Sequence, residues 1–206
     1  MLQPNLSSLQ TFSNVSKYLT IAATSEGFYK EKGSKFYAFA VPCKTEEEAK
    51  TYLNAYRKEH HQAVHVCYAF RFRSDKKIYR SSDDGEPSNS AGPPILGQIQ
   101  SFDLTNVLIA VVRYYGGTNL GVGGLITAYR TAAKDALENA HLIEQEDEQI
   151  LEIDFSYEQM PQIMKIIKNH SCTILSQEFD NQCFLKISCP VSNTILPTQI
   201  ENSLGS

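Results

Sequence analysis

Residues 106–125 read NVLIAVVRYYGGTNLGVGGL, and this stretch decides the fold that we predict. Its first part, 106–113, is the most apolar segment of the chain, which is typical of a strand near the centre of a sheet. A glycine-rich segment follows at 116–124, and an alanine-rich helix then runs to about Ala140. The stretch therefore predicts a central strand, a loop and a helix in direct succession.

The rest of the chain supplies alternating strands and helices around this unit. Before it we predict extended runs at 19–29 and 34–42, a helix at 46–60, strands at 63–73 and 77–81, a loop at 82–94 and a short helix to about Gln100. After it the pattern restarts with a strand at 149–156, a helix at 159–170, strands at 173–179 and 182–189, and a weak helix at 191–203.

These patterns predict an α+β protein with two domains. We expect a lead-in at 1–18, an N-terminal domain at 19–141, an acidic solvated linker at 142–148 and a C-terminal domain at 149–206. The order β-α-β-β-α in the last of these is that of a ferredoxin-like fold that lacks its final strand.

The composition excludes several classes of protein. The chain has 206 residues, 42% of them hydrophobic and 20% charged, with a net charge of −4. These values are ordinary for a globular protein and exclude disordered, collagen-like and strongly basic nucleic-acid-binding chains. One local exception is 57–80, which carries seven basic and two acidic residues and could form a basic surface.

The number and spacing of the cysteines and the hydropathy of the chain indicate the cellular compartment. The five cysteines are odd in number and include no Cys-x-x-Cys pair, so we expect neither a disulfide framework nor a zinc site. The longest aliphatic run is too short to cross a bilayer, and no secretory signal is visible at the N-terminus. We therefore predict a cytoplasmic location and no contact with a membrane.

Two loops are candidates for chemistry. The segment 116–124 could bind an anion through its backbone amides, or its glycines could serve only close packing; it matches neither common nucleotide-binding glycine motif. The loop 83–94 carries Asp83, Asp84 and Glu86, which could bind a cation or act as acid and base, but a capped solvated turn is the favoured interpretation.

The strand at 63–73 offers a third candidate. Its alternation places His65, Cys67, Arg71 and Arg73 on one face, where a Cys–His nucleophile pair is conceivable but a structural face is favoured. The tract His60-His-x-x-x-His65 has a composition that could bind a metal, but it crosses a helix–strand boundary, so we discount it as a metal site. Tyr114 and Tyr115 could stack on nucleobases or belong to the core.

Several blocks together resemble the YigZ/IMPACT family. They are Asp84-Gly-Glu-Pro, Ala91-Gly-x-Pro-Ile-Leu96, the long block 111–125 with Ala128-Tyr129, and the shorter Lys35-Phe36 and His65-x-Cys67-x-Ala69. The likeness is strong over about 20–140 and weaker over 149–206. One departure is Ser88-Asn89-Ser90, where the family usually has a small residue, Gly and Thr. Asn can replace Gly at a positive φ, so we expect the loop to survive.

The resemblance implies a fold and a role. The N-terminal domain should be similar to the second domain of ribosomal protein S-five, RNase PH and the GHMP kinases. The C-terminal domain should be ferredoxin-like and similar to domain V of elongation factor G. Eukaryotic IMPACT members regulate translation in the pathway that activates a starvation-sensing initiation-factor kinase, and RNA binding is the usual inference for bacterial members.

Three functions remain open from the sequence. The first is a non-enzymatic, translation-linked protein that binds RNA, the ribosome or a translation-regulatory protein, with the basic side chains of 71–80 converging on the glycine loop. The second is a phosphate- or nucleotide-handling enzyme that uses the glycine loop and the carboxylates of 83–86. The third is a protein-interaction module.

We rank the first function highest and predict no cofactor, no metal and no catalytic residue. The candidate binding residues are Lys35, His65, Arg71, Arg73, Asp84, Glu86, Ser90, Arg113, Gly116, Gly117, Asn119, Gly121, Gly123 and Gly124.

Overall fold

The computed structural model describes residues 17–179 and 183–204. The predicted lead-in at 1–18 therefore lies outside the described residues, apart from its last two positions. The described chain divides into two compact units, one at 18–145 and one that comprises 146–204 with Lys17. None of the helices in these ranges is both long and apolar enough to cross a membrane.

The described residues form ten strands and five α-helices, so the α+β prediction is confirmed. In the first unit they are β1 (Lys17–Ile21), β2 (Ser25–Glu31), β3 (Ser34–Pro42), α1 (Glu46–Glu59), β4 (His65–Phe72), β5 (Ile78–Ser82), α2 (Gly92–Ser101), β6 (Val107–Tyr114), α3 (Gly121–Glu138) and β7 (Leu142–Glu146). In the second they are β8 (Glu148–Phe155), α4 (Met160–Asn169), β9 (Thr173–Phe179), β10 (Cys183–Pro190) and α5 (Leu196–Leu204).

A five-stranded antiparallel sheet organises the first unit. Its order is β2-β3-β6-β4-β5, so β6 is central, as its apolar sequence predicts. Every residue from Val107 to Val112 is buried, because helices cover both faces of the sheet. The helices α2 and α3 pack on one face and α1 packs on the other. Alternate residues of β6 therefore belong to two separate apolar clusters.

The end of β6 sets the position of every candidate residue. Phe36 of β3 and His65 of β4 both lie opposite Arg113 in the register of the sheet. The three side chains therefore form a row on the face that α2 and α3 cover. Lys35 lies opposite Tyr114 and points to the other face, where α1 ends.

The segment at 142–148 differs from the predicted linker. Residues 142–146 form β7, which pairs with β1 in a two-stranded sheet. The Ala22 amide donates to the His141 carbonyl at 2.9 Å beside this pair. Acidic side chains do not prevent a strand at the protein surface, since they point to solvent while the backbone groups pair.

The second unit contains the predicted elements in the predicted order. Its three-stranded antiparallel sheet has the order β8-β10-β9, and α4 and α5 cover one apolar cluster. A fourth strand of this sheet is not present among the described residues. The likeness to domain V of elongation factor G, like those proposed for the first unit, stays a prediction.

The structure contains one disulfide, whereas the sequence predicted that no disulfide framework would form. Cys172 is bonded to Cys189, while Cys43, Cys67 and Cys183 are free and buried. The pairing of β9 with β10 places Thr173 opposite Ser188, which brings the next residue on each strand together. A separation of 17 residues in the sequence does not show this proximity.

Candidate anion and nucleic-acid interface

A buried ion pair joins the end of β6 to the acidic loop at 83–94. Arg113 at the end of β6 donates from Nη1 to Oε1 of Glu86 at 2.5 Å, and both side chains are more than nine-tenths buried. Tyr129 of α3 donates its hydroxyl to the same carboxylate oxygen at 2.7 Å. Two of the candidate binding residues, Glu86 and Arg113, therefore contact each other directly. The pair connects the central strand, the acidic loop and α3.

Aromatic rings hold the guanidinium of Arg113. Its Cζ lies 5.5 Å from the ring centroids of both Phe36 and Tyr115, which is a cation–π distance. Its Nε is buried and has no hydrogen-bond partner in the described part of the chain. Tyr115 is 48% exposed, so one of its sides faces solvent while the other faces the cation.

The carboxylates of the acidic loop are engaged in the fold. Asp83 accepts hydrogen bonds from the amides of Asn89, Ala91 and Gly92 at 2.8–2.9 Å and so closes the loop before α2. Asp84 accepts from the amide of Val66 at 2.7 Å and from Arg57 at 3.0 Å. The favoured interpretation of this loop as a capped turn therefore matches the geometry.

The departure from the family motif in this loop is accommodated. Asn89 has a φ of +63°, a conformation that Asn tolerates better than most residues and Gly adopts freely. The Ser90 hydroxyl donates to the Pro87 carbonyl at 2.6 Å, and Ser90 is fully buried. Ser90 therefore shapes the loop and does not reach solvent.

This geometry gives no support to acid–base or metal chemistry. Asp83, Asp84 and Glu86 each accept hydrogen bonds from the protein itself, so none faces an open cavity as a free base. No cluster of three or more His, Cys, Asp or Glu residues within 17–179 and 183–204 has the arrangement of a metal site.

The Cys67–His65 pair also lacks the features of a nucleophile. The Cys67 sulfur lies 3.0 Å from the Asp83 carbonyl and 3.3 Å from the Tyr129 hydroxyl, with no exposed surface. Burial raises the pKa of this thiol. His65 donates from Nδ1 to the Asp84 carbonyl at 2.7 Å, which directs Nε2 towards Glu86, 3.9 Å away. Both side chains therefore support the acidic loop.

This arrangement predicts that the free cysteines are unreactive in the folded protein. Burial raises the pKa of Cys43 to about 11 and that of Cys67 as well, and the thiolate is the reactive form. At pH 8 we expect a thiol reagent to leave Cys43, Cys67 and Cys183 unmodified, and to modify all three in urea, as read by mass spectrometry. Rapid modification of Cys67 in the native protein would contradict its assignment as a structural residue.

The glycine loop lies open beside the ion pair. Residues 115–119 and 121–123 are exposed. The backbone amides of the four residues 117–120 form no hydrogen bond with any residue that the structure describes. Gly121 and Gly123 lie in the first turn of α3, where amides lack partners within the helix, and Gly124 packs near Leu120. The Asn119 side chain accepts from the Tyr115 hydroxyl at 3.2 Å.

One glycine of this loop is required by close packing. Gly116 lies against the turn of the β2–β3 hairpin, and a Cβ at Gly116 would overlap the backbone of Gly33 and Ser34. Its amide donates to the Ser34 hydroxyl at 3.1 Å. The two interpretations of the glycines thus apply to different residues, with Gly116 serving packing and 117–120 presenting free amides.

Basic side chains reach this region from the β2–β3 hairpin, which carries the predicted residue Lys35 and also Lys30, which the sequence did not indicate. Lys35 is exposed beside Gly33, and Lys30 lies opposite it on β2 with its side chain on the same face. Neither lysine takes part in an ion pair within the described residues. The alternation of residues along β3 could have predicted this position, because it places Lys35 and Tyr37 together on the face away from α3.

The predicted convergence of the 71–80 basic residues on the glycine loop is wrong. Arg71 lies opposite Val107, six residues along β6 from Arg113, which is a separation of about 20 Å. Arg71 is buried and donates to the Leu104 carbonyl at 2.6 Å and to Asp103 at 3.2 Å. The Arg73 backbone bonds to Asn106 and Thr105. The β4 strand runs away from the loop, so these arginines fasten its opposite end.

Comparison with known proteins agrees with the resemblance noted in the sequence. Residues 32–137 match the family model of the Impact N-terminal domain. An IMPACT family member of Thermus thermophilus is 47% identical over 107 residues; the match covers 52% of this chain and 56% of that relative, less than two thirds of its length. YigZ of Escherichia coli is 30% identical over 165 residues, with 78% of this chain and 80% of YigZ covered.

A solved structure extends the likeness to nearly the whole chain. It is a crystal structure described as that of a hypothetical protein, 26% identical, with a TM-score of 0.74 over 91% of this chain and 92% of the other. The family model covers about half of the chain, and the relatives add most of the remainder. The chain belongs to the IMPACT family.

Proposed function

We propose that this chain is a non-enzymatic, translation-linked protein that binds RNA in the cytoplasm. The proposed contact is the glycine-loop surface, which we define as residues 115–123 together with Lys30 and Lys35. The observation that carries the proposal is the set of four consecutive backbone amides at 117–120, which are without a partner among the described residues at an exposed loop.

The chemistry of this surface suits phosphate oxygens. Free backbone amides carry partial positive charge, and the first turn of α3 adds the positive end of the helix dipole. Lys35 and Lys30 supply full positive charges that no carboxylate among the described residues neutralises. RNA phosphates are acceptors that both kinds of donor can bind without reading the sequence.

The charge of the whole chain is consistent with a local site. The net charge is −4, so the protein as a whole does not attract nucleic acid. Binding through a few phosphate contacts is weak and sensitive to salt. Such binding suits a regulator that associates reversibly, and family membership supports the link to translation through the role that eukaryotic IMPACT members have.

Neutralising Lys35 is expected to weaken RNA binding. In the variant Lys35→Gln, we expect the affinity for a short single-stranded RNA at low salt to fall roughly tenfold, about 1.4 kcal/mol, because one phosphate contact is lost. The slope of log K against log salt concentration should become shallower by about one. Fluorescence anisotropy with a labelled oligonucleotide measures both quantities.

A matched control is available at the other end of the sheet. Lys77 is exposed near the start of β5, takes part in no ion pair among the described residues and lies far from the glycine-loop surface. Lys77→Gln changes the net charge equally and is expected to leave binding unchanged. Equal losses in the two variants would point to non-specific attraction. Absence of any association with RNA or ribosomes at low salt would overturn the proposal.

A further inference from the structure

A cleft of about 430 Å³ adjoins the glycine-loop surface on the α1 side of the sheet. It is lined by Gly33, Lys35, Tyr37, His60, Tyr114 and Tyr115. Its volume lies within the range of small-ligand sites, and four of its six lining residues carry aromatic rings. The composition of the cleft, one cation among flat rings, is suited to a planar group that carries a phosphate.

Tyr115 provides a ring that is fixed in place and open on one side. Its ring stands 5.5 Å from the Arg113 guanidinium, and its hydroxyl donates to Asn119. These two contacts hold the side chain although it is 48% exposed. A fixed aromatic ring with a free face stacks on a planar ligand with little loss of conformational entropy.

The inner wall of the cleft contains a buried polar atom that lacks a partner. The His60 ring is stacked on that of Tyr37 and meets that of Tyr114 edge-on. Its Nδ1 lies 2.9 Å from the Tyr114 hydroxyl. Its Nε2 is buried without any hydrogen bond in the described part of the chain. His60 therefore contributes a polar ring to the wall of the cleft, although its Nε2 is not itself exposed.

We propose that this cleft binds the unpaired base of a single-stranded RNA whose backbone lies on the glycine-loop surface. The base stacks on Tyr115 beside the His60 ring, while Lys35 and the amides of 117–120 bind the adjacent phosphates. This inference rests on the proposed function and names the form of its ligand, which is a splayed single strand and not a duplex.

The test compares RNA with and without bases. We expect the wild-type protein to bind a single-stranded hexaribonucleotide about 5- to 150-fold more tightly than an abasic hexamer with the same phosphates, because a stacked base adds affinity. Tyr115→Ala should bring this ratio close to one, because the ring on which the base stacks is lost. Tyr115→Phe retains the ring and should keep most of the ratio.

Tyr79 supplies the control variant. It lies on β5, is 58% exposed and is not part of the cleft, so Tyr79→Ala should keep the full ratio. A ratio that survives in Tyr115→Ala, or one that falls equally in Tyr79→Ala, would overturn the assignment of the cleft.

Adenosine monophosphate is the second probe. If it displaces the hexamer at a concentration equal to that of the hexamer itself, the occupant is a free nucleotide and the RNA assignment is wrong.

The outcomes separate the cleft from the proposed function. Equal affinity of the wild-type protein for both hexamers would reject the base-binding cleft while RNA binding through phosphates stands. Failure of both hexamers to bind at low salt would reject the proposed function and the cleft together.

Discussion

Replacement of Glu86 by alanine is expected to lower the free energy of unfolding of the first unit by about 3–5 kcal/mol. The change leaves the Arg113 guanidinium, 6% exposed, without its carboxylate and removes the acceptor of the Tyr129 hydroxyl. An unpaired buried charge is far more costly than a missing surface contact. Urea denaturation followed by circular dichroism measures the loss as a lower midpoint at an unchanged slope.

The control for this prediction is an exposed ion pair. Glu46 lies 3.4 Å from Arg80, and both side chains are largely in solvent. Glu46→Ala should therefore cost no more than about 1 kcal/mol. The double variant Glu86→Leu/Arg113→Met removes both charges and should regain much of the loss, since no charge stays buried. A loss below about 1 kcal/mol in Glu86→Ala would show that water reaches this pair.

Gly116→Ala is the second change with a large expected effect, about 3 kcal/mol of destabilisation. The added methyl group would overlap the backbone of Gly33 and Ser34, and backbone atoms cannot rotate away as a flexible side chain can. Relief requires the loop to move from the β2–β3 hairpin, which breaks the bond from the Gly116 amide to the Ser34 hydroxyl. RNA affinity should fall as well, because Lys35 and the 117–120 amides lose their relative positions.

Gly123→Ala is the matched control in the same glycine-rich stretch. A Cβ at Gly123 meets no atom within 4 Å, and the residue lies in the first turn of α3. Alanine favours a helix over glycine by up to about 1 kcal/mol, so this variant should be neutral or slightly more stable. If Gly116→Ala and Gly123→Ala unfold at the same urea concentration, the contact between loop and hairpin does not stabilise the fold.

The carboxylates of the acidic loop have a structural role. Asp83 closes its own loop, Asp84 fastens the loop to β4, and Glu86 neutralises Arg113. The cluster therefore works as a scaffold beneath an open surface. The chemistry available to a ligand lies instead in backbone amides, lysines and aromatic rings.

Some features could be predicted from the sequence because they are local or periodic. The apolar run of β6 identified the central strand, since a strand covered on both faces needs apolar residues throughout. Alternation in β4 placed His65 and Cys67 on one face. The family motif indicated that Asn89 stands where relatives have glycine, and its φ of +63° is a conformation that glycine adopts freely. For the glycine loop the sequence left two interpretations open, an anion-binding loop and close packing.

The remaining features depend on which strands are neighbours and in which direction they run. The register between β4 and β6 places His65 beside Arg113, and Arg71 lies about 20 Å further along the sheet. Counting charges along the chain therefore identified the wrong basic hairpin. The pairing of β2, β3 and β6 brings Lys35, Tyr37 and Tyr114 to the end of α1, where His60 completes the cleft. The sequence by itself determined most of the strands and helices and the position of the glycine loop between β6 and α3. Only the tertiary structure decided which side chains surround that loop, because proximity across a sheet depends on long-range pairing and not on separation along the chain.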